Sequence, residues 1–248
     1  MEKANIIEYK VYGRYALFTD PLTKIGGERF SYQIPTYQAL KGITESIYWK
    51  PTFTWIIDEV RIMNSIQTQS QGIRPIHYND NGNDLSIYTY LKNVEYQVKA
   101  HFEWNENRPE LEDDRNENKH HEIAKRMIAR GGRRDIFLGT RECQAYVEPC
   151  KYGNEGKSFY DSDKGNMPFG IMLHGITYPD EAIFQEEKGK MTVRFWNAVM
   201  QEGRIKFIRP EECTIKRVIG ERNIKVFDEN NFSGLEEFEK AGVFNGLD

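Results

Sequence analysis

Within NENKHHEIAKR, residues 116–126, a lysine and two adjacent histidines stand where a helix begins. A helix N-terminus is the positive end of the macrodipole, so cationic side chains are misplaced there by a few tenths of a kcal/mol each, on the order of 0.3–1. An anion held between them would resolve the conflict. A histidine at such an end loses proton affinity and offers a neutral imidazole as a base near pH 7. Lys119 and the free N–H groups of the first turn would draw in a phosphate. At about 100° per residue, Ile123, Ala124, Met127 and Ile128 share one face, and His120 projects onto that face one turn earlier. Lys119 and His121 lie on its flanks. A core-edge histidine with a satisfied hydrogen bond fits the same pattern. Adjacent histidines diverge on a helix and no HxxxH pair accompanies them, so no metal is expected.

Two further patterns suit a ligand that carries phosphates. KRMIARGGRRDIFLGTR, residues 125–141, carries Arg126, Arg130, Arg133, Arg134 and Arg141 together with Lys125 against Asp135 alone. Such a cluster is the electrostatic footprint of a phosphate-binding face, although a solvated helix end and turn also fits. In the other helix Tyr37, Lys41, Thr44 and Tyr48 fall at i, i+4, i+7 and i+11. This aromatic and cationic stripe suits base stacking and phosphate contact; a packing seam at the core edge is the alternative.

The elements that must position these residues follow from periodicity. EYKVYGRYALF (residues 8–18) alternates and reads as a strand, and a long loop follows it. Residues 36–49 repeat apolar side chains at helical spacing and stop before Pro51. Residues 52–63 are β-branched and aromatic, Gln67 to Leu85 reads as a polar loop, and residues 93–104 alternate cleanly as a strand. The helix of residues 116–130 ends at Gly131-Gly132, and residues 134–150 supply one or two strands. The order βαββαβ over residues 1–150 predicts an α+β, ferredoxin-like (RRM-like) domain. Residues 151–220 read as a small antiparallel β addition, and 221–248 as an acidic C-terminal tail with a short helix capped by Ser233. In a ferredoxin-like domain both helices pack on one side of the sheet, so Tyr48 and the Lys119/His120 pair are placed to approach each other.

Composition narrows the function classes. The net charge of −4 resides in the tail: residues 221–248 hold seven acidic and three basic side chains, leaving 31 of each before it. The overall acidity therefore does not argue against a nucleic-acid ligand. Three cysteines without CxxC spacing predict reduced core thiols rather than a disulfide framework or zinc site. The chain shows no apolar run long enough to span a membrane and no signal or transit peptide, so a cytoplasmic protein without membrane contact is expected.

Several strings, among them YALFTDPLTKIGGERFSY, IPTYQALKGITESIYWKP, YTYLKNVEYQVKAHFEW and GGRRDIFLGTRECQAYVEPC, resemble in order the subtype I-C member of the Cas5 family of CRISPR-associated proteins, over roughly residues 8–217. The resemblance implies a ferredoxin-like domain followed by a small β domain. It also implies metal-independent cleavage of CRISPR precursor RNA at the base of the repeat hairpin, with no cofactor. The product would stay bound by its 5′ handle in the surveillance complex, beside the backbone and large subunits. The family's catalytic tyrosine falls on Tyr48 and its lysine and histidine on Lys119 and His120; His121 has no assigned role. A non-catalytic subunit that only holds the crRNA handle is the alternative.

Overall fold

The computed structural model describes residues 4–21, 23–77 and 82–222. In chain order the elements are β1 Ile7–Ala16, β2 Arg29–Phe30, α1 Tyr37–Ile47, β3 Phe53–Ile62, β4 Thr68–Ile73, β5 Ser86–Trp104, α2 Glu117–Ala129, β6 Ile136–Phe137, β7 Gln144–Pro149, β8 Asn166–Thr177, β9 Lys190–Gln201, β10 Arg204–Lys206 and β11 Ile215–Glu221. The strands form a mostly antiparallel sheet ordered β11-β9-β10-β3-β5-β1-β7-β6. Four of them, in the order β7-β1-β5-β3, are joined through α1 and α2 in the expected βαββαβ succession. Alternation sets which residues face inward. Tyr9, Val11, Trp55, Ile57, Val98, Ala100 and other such positions point to the core under the helices.

Two sequence expectations change. The stretch read as a loop from Gln67 contains β4, which pairs with the first part of β5 from Thr68↔Leu91 to Ile73↔Ser86. That strand has no buried residue, so it lacks the inward apolar positions that reveal a strand in sequence. β5 starts at Ser86 rather than at residue 93, and its first part buries Thr89, Tyr90 and Leu91 in succession, without the clean alternation that marks the rest of the strand. The expected C-terminal β pieces appear as β8 to β11, and β10 joins them to β3 with Ile205 opposite Val60. The helix expected at Ser233 and nearly all of the acidic tail lie outside the described residues. Among the described residues, no helix is long and apolar enough to cross a membrane.

Both helices are fixed by specific bonds. Thr36 caps α1 by accepting from the Ala39 N–H, and Asn116 caps α2 by accepting from the Lys119 N–H. These caps satisfy N–H groups that a helix start leaves free. At the far end of α2, Gly131 and Gly132 adopt φ of 83° and 108°. Their N–H groups bond back to the Ile128 and Met127 carbonyls. This left-handed turn swings the chain so that Arg133 N–H bonds to Ile47 O at 3.1 Å and Arg134 N–H to Ser46 O at 3.0 Å. The last carbonyls of α1 are thereby satisfied by the segment after α2, beside Tyr48.

Glycine is required in that turn because a Cβ at residue 132 would stand 3.1 Å from Arg134 O and from Ile136 Cδ1. Gly132→Ala should lower stability by roughly 1–2 kcal/mol, the cost of an L-residue held in the left-handed region. Urea unfolding measures it; a loss below the scatter of the fit would mean that the turn relaxes without disturbing α1.

Candidate functional site

Tyr48 is the first residue after α1. Its N–H bonds to Thr44 O, and its carbonyl accepts from Trp55 Nε1 at 2.7 Å. Its hydroxyl lies 2.8 Å from His120 Nδ1, a contact spanning 72 residues of sequence. His120 has no exposed surface. Phe53, Trp104 and Phe102 surround its ring at centroid distances of 5.1, 5.9 and 6.3 Å. The other ring nitrogen, Nε2, lies 2.8 Å from the main-chain carbonyl of Asp114. A carbonyl only accepts, so Nε2 carries the proton. In the neutral ring Nδ1 is then the acceptor, and the Tyr48 O–H donates to it.

Asp114 ends the short 3-10 segment Pro109–Asp114 ahead of α2. Its Oδ1 receives the Lys119 ammonium in a short ion pair. Its Oδ2 accepts from Thr52 Oγ1 at 2.8 Å and stands 3.4 Å from His120 Nε2. A cation at the helix start is therefore balanced by a carboxylate placed just before it. Neither Asp114 nor Thr52 was singled out from sequence. Asp114 is one of six acidic residues in NENRPELEDDRNEN, and nothing in that run distinguishes it.

The environment sets the protonation states. His120 titrates below the usual imidazole range, chiefly because burial penalises the charged ring. The hydrogen bond to Asp114 O and the Asp114 charge oppose this, while Lys119 and Lys50 reinforce it. The direction matches the sequence expectation, but burial rather than the helix end is the main cause. Tyr48 is raised, first by burial and then by the Asp114 charge, with Arg133 opposing. For Asp114 partial burial pushes upward, yet the hydrogen bonds from Lys119 and Thr52 outweigh it and the carboxyl is lowered. At neutral pH the group thus holds a protonated phenol, a neutral imidazole, a carboxylate and an ammonium.

The other expected residues divide. Tyr37 and Lys41 are 3% and 5% exposed. Tyr37 stacks on His174 at 4.3 Å, and Lys41 pairs with Glu181 at 2.5 Å. The Tyr37 and Lys41 part of the α1 stripe is thus a packing seam, a correction to its reading as an RNA face, because the β8 side of the molecule folds over that part of the helix. Arg126, Arg130, Arg133, Arg134 and Arg141 are all exposed. The first two occupy the last turn and cap of α2, the next two the turn beside Tyr48, and Arg141 the loop between β6 and β7. His121 donates or accepts no bond within the group; its Nε2 lies 2.8 Å from Ile6 O. Among the described residues no cluster of three or more His, Cys, Asp or Glu is arranged to hold a metal ion.

A family model described as CRISPR-associated protein (Cas_Cas5) matches residues 6–208. The chain belongs to the Cas5 family. Within it the chain is of subtype I-C. It is 28% identical over 209 residues to the CRISPR pre-crRNA endoribonuclease Cas5d of Mannheimia succiniciproducens, covering 71% of this chain and 86% of that one. To the protein of the same name from Thermus thermophilus it is 30% identical over 213 residues, covering 79% and 89%. Among solved structures it is similar to a CRISPR-associated protein at 40% identity and a TM-score of 0.71, covering 86% of this chain and 96% of that one. A functionally uncharacterised protein from Streptococcus mutans shares 41% identity with a TM-score of 0.69, over the same shares of the two chains.

The depressed His120 and Asp114 values carry the same sign in stability. Each group binds fewer protons folded than unfolded over part of the acid range, so acid favours the unfolded chain. The His120 contribution is present above the unfolded value near 6.5 and is lost as pH falls through the folded one. A ring-proton NMR titration should place the His120 midpoint below 6.5; a midpoint at or above it would contradict the burial argument.

Proposed function

We propose that this Cas5 protein is an endoribonuclease that cleaves CRISPR precursor RNA at the repeat hairpin, without a metal ion, and keeps its product by the 5′ handle. The observation that carries this reading is the bond between the Tyr48 hydroxyl and His120 Nδ1, with the Lys119 ammonium at the rim. The names of the two curated relatives support the reaction class.

RNA cleavage by its own 2′-OH needs removal of that proton, stabilisation of a more negative phosphorus centre, and protonation of the departing 5′ oxygen. His120 has no exposed surface and Tyr48 keeps only 3% of its own, so the imidazole acts through the Tyr48 oxygen, which meets the 2′-OH once bound RNA draws Lys119 aside. The Tyr48 oxygen takes the 2′ proton as its own proton passes to Nδ1. The 2′ oxygen then bonds to phosphorus, and the 5′ oxygen leaves with a proton from solvent. Lys119, 44% exposed at its side chain, neutralises the non-bridging oxygens. The upstream fragment ends in a 2′,3′-cyclic phosphate. Positioned acid–base help of this kind contributes about 10²–10⁴-fold, and an enzyme that retains its product needs few turnovers.

The exposed arginines after α2 hold the RNA backbone on either side of this point. In the surveillance complex the bound handle places the protein beside the backbone and large subunits.

Tyr48→Phe keeps the ring and removes only the relay hydroxyl. With repeat RNA in single-turnover assays it should slow cleavage at least about 100-fold, as should Lys119→Ala, while hairpin affinity stays within about tenfold, or 1.4 kcal/mol. Near-normal cleavage by both would leave only a binding subunit. His121→Ala should cleave normally.

Arg133→Ala with Arg134→Ala should weaken all hairpins similarly. The slope of log affinity against log salt should flatten by roughly 1–2. Loss confined to the cognate repeat would show that these residues read bases instead.

A further inference from the structure

The two oxygens of Asp114 serve different partners. Oδ1 takes the Lys119 ammonium. Oδ2 is held by the buried Thr52 hydroxyl at 2.8 Å and faces His120 Nε2 at 3.4 Å. The main chain of Asp114 is fixed as well, since its carbonyl accepts from His120 Nε2 and from the Asn116 N–H. Lys119 can therefore leave without freeing the carboxylate to swing away.

We propose that Asp114 is a positioning residue that exchanges partners when RNA binds: the phosphate draws Lys119 off Oδ1, and the carboxylate, still held by Thr52, then stabilises the His120 imidazolium formed during cleavage. The inference rests on the proposed ribonuclease reading. In the free protein the Lys119–Asp114 pair is internally neutral, and His120 sees both charges at once. With RNA bound the ammonium is matched by the phosphate and the carboxylate by the imidazolium. The base gains strength only when substrate is in place. Among the described residues, Asp114 is the carboxylate that faces the ring. The charged groups acting on it are Asp114, Lys119 and Lys50, with Arg133 acting on Tyr48, and the remaining walls are the rings of Phe53, Phe102 and Trp104.

The probe is repeat RNA with a single 2′-deoxy sugar immediately upstream of the cut, which binds but lacks the nucleophile. In protein carrying ¹⁵N-labelled histidine, the His120 titration midpoint should move upward on binding this RNA. In Asp114→Asn it should stay low. For cleavable RNA, Asp114→Asn should lower kcat at least about tenfold with affinity within about threefold. The acid limb of its pH–rate profile should move to lower pH, because the bound imidazole is a weaker base without the carboxylate. Asp114→Glu should recover part of the rate. A role in folding alone would lower the plateau without moving the limb. Should Asp114→Asn fail to fold, Thr52→Val, which loosens Oδ2 but keeps the charge, should blunt the same midpoint shift. An unmoved midpoint in the native protein, or a native pH profile in Asp114→Asn, overturns the inference while slow cleavage by Tyr48→Phe leaves the ribonuclease reading standing. Normal cleavage by Tyr48→Phe and Lys119→Ala overturns both.

Discussion

A neutral imidazole sealed inside an aromatic wall is the constraint on which the rest of the site depends. His120 gives up all contact with water, so both ring nitrogens must find partners or cost about 1–3 kcal/mol each. One partner is a main-chain carbonyl, which fixes the tautomer; the other is the Tyr48 hydroxyl. Each bond dictates geometry elsewhere. The carbonyl belongs to Asp114, so the segment before α2 must curl back over the helix start. The hydroxyl belongs to the residue that follows α1, so the C-terminal end of α1 must meet the N-terminal end of α2.

That meeting is maintained from several directions. Tyr9 bonds to Thr44 at 2.8 Å and ties α1 to β1. Trp55 holds the Tyr48 carbonyl from β3. The glycine turn after α2 satisfies the last carbonyls of α1 and at the same stroke sets Arg133 and Arg134 beside Tyr48. The proposed phosphate-gripping surface and the proposed proton-handling pair are thus brought together by one local feature of the chain. The cationic start of α2 becomes intelligible in the same way: Asp114 balances Lys119 in the free protein, and a phosphate is suited to replace it.

Much of this was legible in the sequence, and the failures have physical causes. The alternation of residues 93–104 and the helical spacing of Ile123, Ala124, Met127 and Ile128 reflect burial on one face, so β5 and the inward aim of His120 could be read directly. β4 could not, because a strand with no buried residue carries no apolar alternation. Tyr37 and Lys41 have the same types and spacing on an RNA-binding surface as in a packing seam. What decides between them is a long-range event, the folding of β8 and Glu181 over α1, which has no local signature. Asp114 was hidden differently: its neighbours are also acidic, and only the turn that brings its carbonyl to His120 sets it apart.

The central claim is that Tyr48, Lys119 and His120 activate the RNA's own 2′-OH. The most direct measurement is mass spectrometry of the fragments released from repeat RNA in the presence of EDTA. The account predicts an upstream fragment ending in a 2′,3′-cyclic phosphate, lighter by one water than the open phosphomonoester, and a downstream fragment with a free 5′-hydroxyl. An upstream 3′-hydroxyl with a downstream 5′-phosphate, or no cleavage until Mg²⁺ is restored, would contradict it, because water would then be the nucleophile.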